Sequence, residues 1–249
     1  MEEAAKLFDQ HAEQAHLHRL EPSAFSVAGV LAREMVELYE AGMVRRRSGR
    51  KIYERLMASV PQSRCPMCGQ RVVSTLDHVL PKSRFPALTV TPLNLVPVCK
   101  DCNFGKLADI AEGEDSEVLH PYFGTIDEVS WLKASVVRAD PLALSYFVKP
   151  DADWDAALTA RVERHFRHLG LGRLYGVHAA SELQNIRLSL VNQYGDGGAD
   201  GASRVRENLQ REAESRLAVR RNSWEGALYE ALSSDAWFCS GGFVGILEA

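Results

Sequence analysis

The chain has 249 residues, 46% apolar and 25% charged, with a formal charge of −4. That balance excludes a disordered tail or a membrane bundle, and the length limits the chain to one or two domains. Apolar runs such as 142–148 fall far short of a bilayer span and residues 1–9 are charged, so a cytoplasmic protein with no membrane attachment is expected.

The mean charge hides an asymmetry. From Met43 to Lys106 there are twelve Lys and Arg against Glu54, Asp77 and Asp101, a net of +9 that leaves −13 on the rest. A basic middle between acidic ends suits contact with nucleic acid there, and the ends suit docking or gating by a partner.

Residues 2–60 read as helical, with Val30, Leu31, Met35 and Leu38 at three- and four-residue steps and a break at Pro22-Ser23. After Gly42 come Arg45, Arg46, Arg47, Arg50 and Lys51, of which the first three are candidate phosphate contacts. Short β-like runs follow at Val72-Val73, Thr75-Leu76 and Leu95-Val96, then a helix starting near Asp101. Beyond an acidic loop, Trp131–Arg138 and Leu142–Val148 read as two strands. Three helical patterns close the chain: 154–169, one through Leu183, Ile186 and Leu190, and one through Val205, Leu209, Ala213 and Leu217. The glycine-rich stretch 195–201 reads as a flexible connection.

Four of the five cysteines form two Cys-x-x-Cys pairs, Cys65 with Cys68 and Cys99 with Cys102, with thirty residues between the pairs. This is the pattern of a structural zinc site, and four thiolates leave zinc no open position from which to activate water. Cys239 reads as a small buried hydrophobe. His165 and His168 lack a further ligand at matching spacing, and His120, between Leu119 and an aromatic run, reads as a packing residue.

Between and after the pairs stand Leu76-Asp77-His78-Val79, Asn94-Leu95-Val96-Pro97, and Asn103-Phe104-Gly105-Lys106. Phosphodiester hydrolysis needs an activated water, stabilisation of phosphate charge and help for the leaving oxygen. An imidazole is suited to take the water proton, and an aspartate with an asparagine amide offers hard oxygen ligands that favour Mg²⁺ or Mn²⁺ over zinc. Because strand residues alternate, Asp77 and His78 can serve one site only where the strand ends or twists.

In order and spacing this segment resembles the HNH endonuclease family, with an Asp-His pair on a strand, a central Asn, and a His or Asn on the following helix. The resemblance implies His78 as general base, Asp77 and Asn103 as catalytic-metal ligands, and Asn94 as the brace of the ββ loop. Asn103 stands where many members have His. Lys82, Arg84 and Lys106 are further candidates for phosphate contact. The fold class expected is α+β: a zinc-stapled ββα-metal motif (61–112) between a helical lead-in (1–60) and a mostly helical C-terminal region with a small β-hairpin (113–249).

The wording LDHVLPKSRFP, PLNLVPVCKDCN and LHPYF is similar to small bacterial anti-phage nucleases of the Septu and retron-associated kind. That implies a defence effector, often beside a regulatory ATPase. DNA leads as substrate and RNA, such as tRNA, competes, since a water nucleophile needs no 2′-hydroxyl. A non-catalytic zinc adaptor would explain the cysteines and the basic excess, but gives no reason for Asp77, His78, Asn94 and Asn103 at these positions.

Overall fold

A computed structural model describes residues 1–105, 111, 113–124 and 126–244. The chain forms two compact units, one of residues 1–124 and 155–169, the other of 125–154 and 170–249. Among the described residues, no helix is long and apolar enough to cross a membrane.

The first unit opens with helix α1 (Glu2–Glu13), which buries Phe8 and Ala12. The break expected at Pro22 is a pair of short 3₁₀ turns, Leu17–Arg19 and Pro22–Phe25. Helix α2 (Ala32–Glu37) starts where the Glu34 carboxylate accepts the Leu31 backbone N–H at 2.8 Å, half of a capping box. It continues into a π-helical segment, Leu38–Arg45, and helix α3 (Arg47–Met57) follows.

Strands β1 (Thr75–His78) and β2 (Leu95–Val98) pair antiparallel, with Thr75 opposite Val98 and His78 opposite Leu95. The β-like run at Val72-Val73 makes only an isolated bridge, Arg64 to Val72. Helix α4 (Lys100–Gly105) leaves the end of β2, completing a ββα order. Tyr39 and Met43 of the π-helical segment and Tyr53 of α3 pack on Leu76 and Leu95, so the helical lead-in forms the core beneath the ladder.

Helix α5 (Ala156–His168) returns to this unit, its N-terminus capped by Asp155 Oδ1 accepting from Leu158 N–H at 2.7 Å. Arg161 of this helix is buried. It is 8% exposed and donates from Nε to Glu117 O at 3.2 Å, while the buried Glu117 carboxylate also takes His18 Nδ1 at 2.6 Å. Burial of a guanidinium costs too much without such partners.

In the second unit, strands β3 (Leu132–Val137) and β4 (Ala143–Val148) form the expected hairpin, with Leu144 and Tyr146 on the buried face of β4. Helices α6 (Leu171–Tyr194), α7 (Gly198–Val219) and α8 (Trp224–Ser234) complete it. Among the described residues, four α-helices follow the hairpin where periodicity suggests three. Helix α8, capped by Ser223, buries Trp224, Gly226, Ala227, Leu228, Tyr229, Leu232 and Ser233, and a helix buried almost all round has no amphipathic stripe to read. The glycine-rich stretch is not a slack connection either. Gly198–Gly201 begin α7, and a Cβ on Gly201 would overlap Tyr194 O, so that glycine permits a close helix turn.

A second close approach governs the first unit. A Cβ on Gly49 of α3 would overlap Gly42 O and lie 2.7 Å from Met43 Cα, both backbone atoms that have no rotamer with which to yield. We expect Gly49→Ala to cost about 1–3 kcal/mol by overpacking. Equilibrium denaturation reads this, and an unchanged midpoint would show that α3 can shift freely on the π-helical segment.

Candidate active site

The two knuckles are alike in design. Gly69, at φ +61, turns the first so that Gly69 N–H donates to Cys65 O at 2.8 Å, and Arg71 N–H points at Cys68 Sγ at 3.4 Å. In the second, Cys102 N–H donates to Cys99 Sγ at 3.4 Å. All four sulfurs are buried, carry no disulfide and lie within 4.8 Å of one another, with Cys68 and Cys99 4.0 Å apart. Tetrahedral zinc with bonds of about 2.3 Å sets its sulfurs about 3.8 Å apart, so the cage fits that ion.

Charge makes the same demand. Hydrogen bonding with Cys65 and Cys68, and then burial, pushes the Cys102 thiol up, whereas Cys68, accepting from Cys102 and Cys65, is pushed down. Sulfurs this crowded and buried would repel one another as thiolates, and a divalent cation among them would remove that conflict. Outside the cage, Arg71 Nε pairs with Asp101 Oδ2 at 2.8 Å across the two knuckles, and His165 Nε2 of α5 meets Met67 O at 2.7 Å.

The cage closes a loop that ends β1 at His78 and re-enters at β2. His78 is 8% exposed, and its Nε2 lies 2.8 Å from Thr89 O. A carbonyl only accepts, so Nε2 carries the proton in the neutral ring and Nδ1 carries the lone pair. Asn94 is fully buried and bridges the same loop. Its Oδ1 accepts from Leu80 N–H at 2.7 Å, and its Nδ2 donates to Leu80 O and Leu88 O, each at 3.2 Å. Val79 N–H donates to Asn94 O at 2.9 Å, so both strand exits are tied to one residue.

Burial alternates along β1, with Leu76 and His78 buried and Thr75 and Asp77 half-buried. The Asp77 carboxylate nevertheless turns along the strand end, with Oδ1 accepting from the His78 backbone N–H at 2.8 Å. The carboxylate thus lies against the backbone of the residue that carries the imidazole. Asn103, half-buried on α4, follows the cage residue Cys102 directly and donates its backbone N–H to Cys99 O at 3.1 Å.

Tyr39 and Glu40, which gave no sequence signal, also reach this cluster. The Tyr39 ring stands edge-on to the His78 ring at 4.7 Å between centroids, and its hydroxyl meets Leu76 O at 3.4 Å. Burial, then the nearby Tyr53, Asp77 and Glu40, pushes that hydroxyl well above the usual phenol range, so it remains a proton donor. Lys82 Nζ pairs with Glu40 Oε1 at 2.8 Å and lies 5.2 Å from the Tyr39 centroid. Arg45, Arg46, Arg47 and Arg84 are exposed, and Lys106 lies outside the described residues.

Among the other histidines, His120 has structural partners. His120 is buried against Phe8, Tyr122 and Phe123; its Nε2 meets Leu93 O at 2.9 Å, while Tyr122 hydroxyl donates to Leu95 O at 3.0 Å. This LHPYF segment straps the turn that presents Asn94. Arg164, His165 and His168 line a cavity of about 50 Å³ with Met67 and Glu117. Cys239 is buried, with its thiol directed at Leu232 O.

Two outcomes follow from this bonding. Cys99→Ser should lower bound zinc from one ion per chain and destabilise the first unit, measured by metal analysis and thermal unfolding. Asn94→Asp can still accept from Leu80 N–H but cannot donate to Leu80 O or Leu88 O, so we expect a loss of about 1–3 kcal/mol in chemical denaturation. Wild-type stability in that variant would show that the two carbonyls do not depend on the Asn94 amide.

The family model described as HNH endonuclease matches residues 65–107. The chain is also 30% identical over 174 residues to Protein ea31 of Escherichia phage lambda, an alignment covering 68% of this chain and 58% of that protein. The chain thus spans a little over half the length of that relative. No solved structure matches. The chain therefore carries an HNH endonuclease domain built around a four-cysteine cluster that can hold a metal ion.

Proposed function

We propose that this protein is a metal-dependent endonuclease that hydrolyses phosphodiester bonds, with DNA as its substrate. The observation that carries the reading is the 2.8 Å contact between His78 Nε2 and Thr89 O. It commits the proton to Nε2 and leaves Nδ1 as the basic atom, the state required of a group that takes a proton from water.

In this reading His78 is the general base and Asn94 acts as its brace, holding the loop between Leu80 and Leu88 that carries Thr89. Asp77 and Asn103 offer the hard oxygens that would hold Mg²⁺ or Mn²⁺. Such an ion, when bound, supplies positive charge to the phosphate and the leaving oxygen. Asp77 is half-buried beside the His78 amide, and its donor type suits that ion better than the thiolate cage does. Zinc in the cage has no open position, so it serves the fold and not the chemistry.

Lys82, Arg84, Lys106 and the exposed Arg45, Arg46 and Arg47 supply charge for the phosphate backbone, and binding should weaken with salt according to how many engage. Four cysteines gathered to hold a metal suit the reducing cytoplasm, where the substrate lies. The resemblance to Septu and retron-associated nucleases supports a role in anti-phage defence under a regulatory ATPase.

The test is a panel of labelled duplex DNA, single-stranded DNA and tRNA, each with Mg²⁺ or Mn²⁺. We expect cleavage of DNA, and expect His78→Ala to lower it by about a hundredfold or more while retaining zinc. Cleavage of tRNA alone would move the substrate to RNA. A His78→Ala protein as active as wild type would leave a zinc-stapled binding module.

A further inference from the structure

The outward face of helix α6 is short of charge. On its inner face the helix buries Leu171, Tyr175, Ala179, Leu183 and Leu190 in the second unit, with the Tyr175 ring edge-on to Tyr146 of β4 at 5.6 Å between centroids. A surface helix ordinarily sets charged side chains opposite such a face. Among the described residues, nine of α6 are exposed, and only Arg173 of these is charged. The acid of the helix, Glu182, is turned inward, where its Oε1 accepts from the Tyr229 hydroxyl at 2.6 Å. Val177 and Leu188 stand outward at 62% and 67% exposure. The helix is about 36 Å long and carries no exposed charge beyond its first turn, in a chain that is 25% charged. Depletion of charge marks the centre of a protein interface.

The order of the exposed residues identifies the partner. Val177, Ser181, Gln184 and Leu188 follow at steps of four, three and four, the spacing of a coiled-coil seam. Read from either end, the seam is apolar, polar, polar, apolar. A two-fold axis passing between positions 182 and 183 sets Val177 of each copy against Leu188 of the other, and Ser181 against Gln184. The hydroxyl and the amide can then bond to each other. Arg173 meets the uncharged Asn192. A slip of one turn would instead set Val177 against Gln184 and Leu188 against Arg173. A parallel pair would bring Arg173 against its own copy and align the two helix dipoles.

We infer that the outward face of α6 is a dimerisation surface: two copies of this chain pair through antiparallel α6 helices about a two-fold axis, with Val177 packed on Leu188 at both ends of the seam. The inference does not depend on the nuclease reading, and such a dimer carries two HNH endonuclease domains. One pair of helices buries less than about 1,200 Å², which places its dissociation constant in the micromolar range.

Sedimentation of the full zinc-loaded chain from about 1 to 100 μM tests this, and we expect a dimer that builds up with concentration. Val177→Glu and Leu188→Lys put good helix formers at exposed positions, so helicity by circular dichroism should stay at the wild-type level. Each alone should weaken the dimer by about tenfold or more. A chain with both substitutions should recover about tenfold of that loss at low ionic strength, because each new carboxylate then faces a new ammonium, and the recovery should fade with salt.

In a parallel pair the double substitution sets like charge against like and recovers nothing, so a double variant no stronger than the single ones would overturn the antiparallel seam. Wild-type protein that stays monomeric at the highest concentration would overturn the dimer and leave this face to a different partner. A folded single variant that dimerises as wild type does would show that the copies meet elsewhere.

Discussion

Four thiolates within 4.8 Å of one another are the interaction on which the first unit depends. A two-stranded ladder of four residues per strand is marginal in water by itself. Zinc bound by such a set contributes on the order of 10–16 kcal/mol in small zinc-folded peptides, far more than the ladder can. A metal held there would join residues that precede β1 to residues that follow β2 and start α4, closing the chain between them into a loop.

Within that closed loop the polar groups are satisfied in a chain of neighbours. Asn94 takes the backbone of Leu80 and Leu88, Thr89 takes the imidazole, and His120 and Tyr122 take the carbonyls of Leu93 and Leu95. Each buried donor or acceptor here would cost about 1–3 kcal/mol if left unpaired, so the loop has one low-energy arrangement. The candidate phosphate-binding arginines differ in kind. Arg45, Arg46, Arg47 and Arg84 are exposed and can follow a flexible polyanion, whereas Lys82 is restrained by Glu40 and Tyr39.

Local spacing made much of this legible. Two Cys-x-x-Cys pairs announce a cage because a tetrahedral ion needs ligands from two tight turns, and the hairpin at 132–148 follows from β-rich runs around a proline turn. The His78 hydrogen bond to Thr89, eleven residues on, has no pattern of its own, since any residue can offer a carbonyl. Tyr39 was out of reach for a similar reason: among residues 30–57 it is one apolar position of many, and only packing brings it to His78. Helix α8 escaped because burial on nearly every side erases the period, and Gly201 misled because a glycine required for close approach looks, in sequence, like one that grants slack.

The return of α5 has a consequence for how the molecule is made. Residues 125–154 leave the first unit, and the chain re-enters it only at Asp155, bringing Arg161 to Glu117 and His165 to the carbonyl of Met67. On the ribosome, where N-terminal parts emerge first, the knuckle and ladder are complete in sequence well before these partners exist. Until α5 arrives, the backbone carbonyls of Glu117 and of Met67 in the first knuckle must be served by water. The first unit is thus finished late, after an intervening hairpin has been synthesised, and a nascent chain halted before residue 169 would hold the four-cysteine cluster in a shell that is still open.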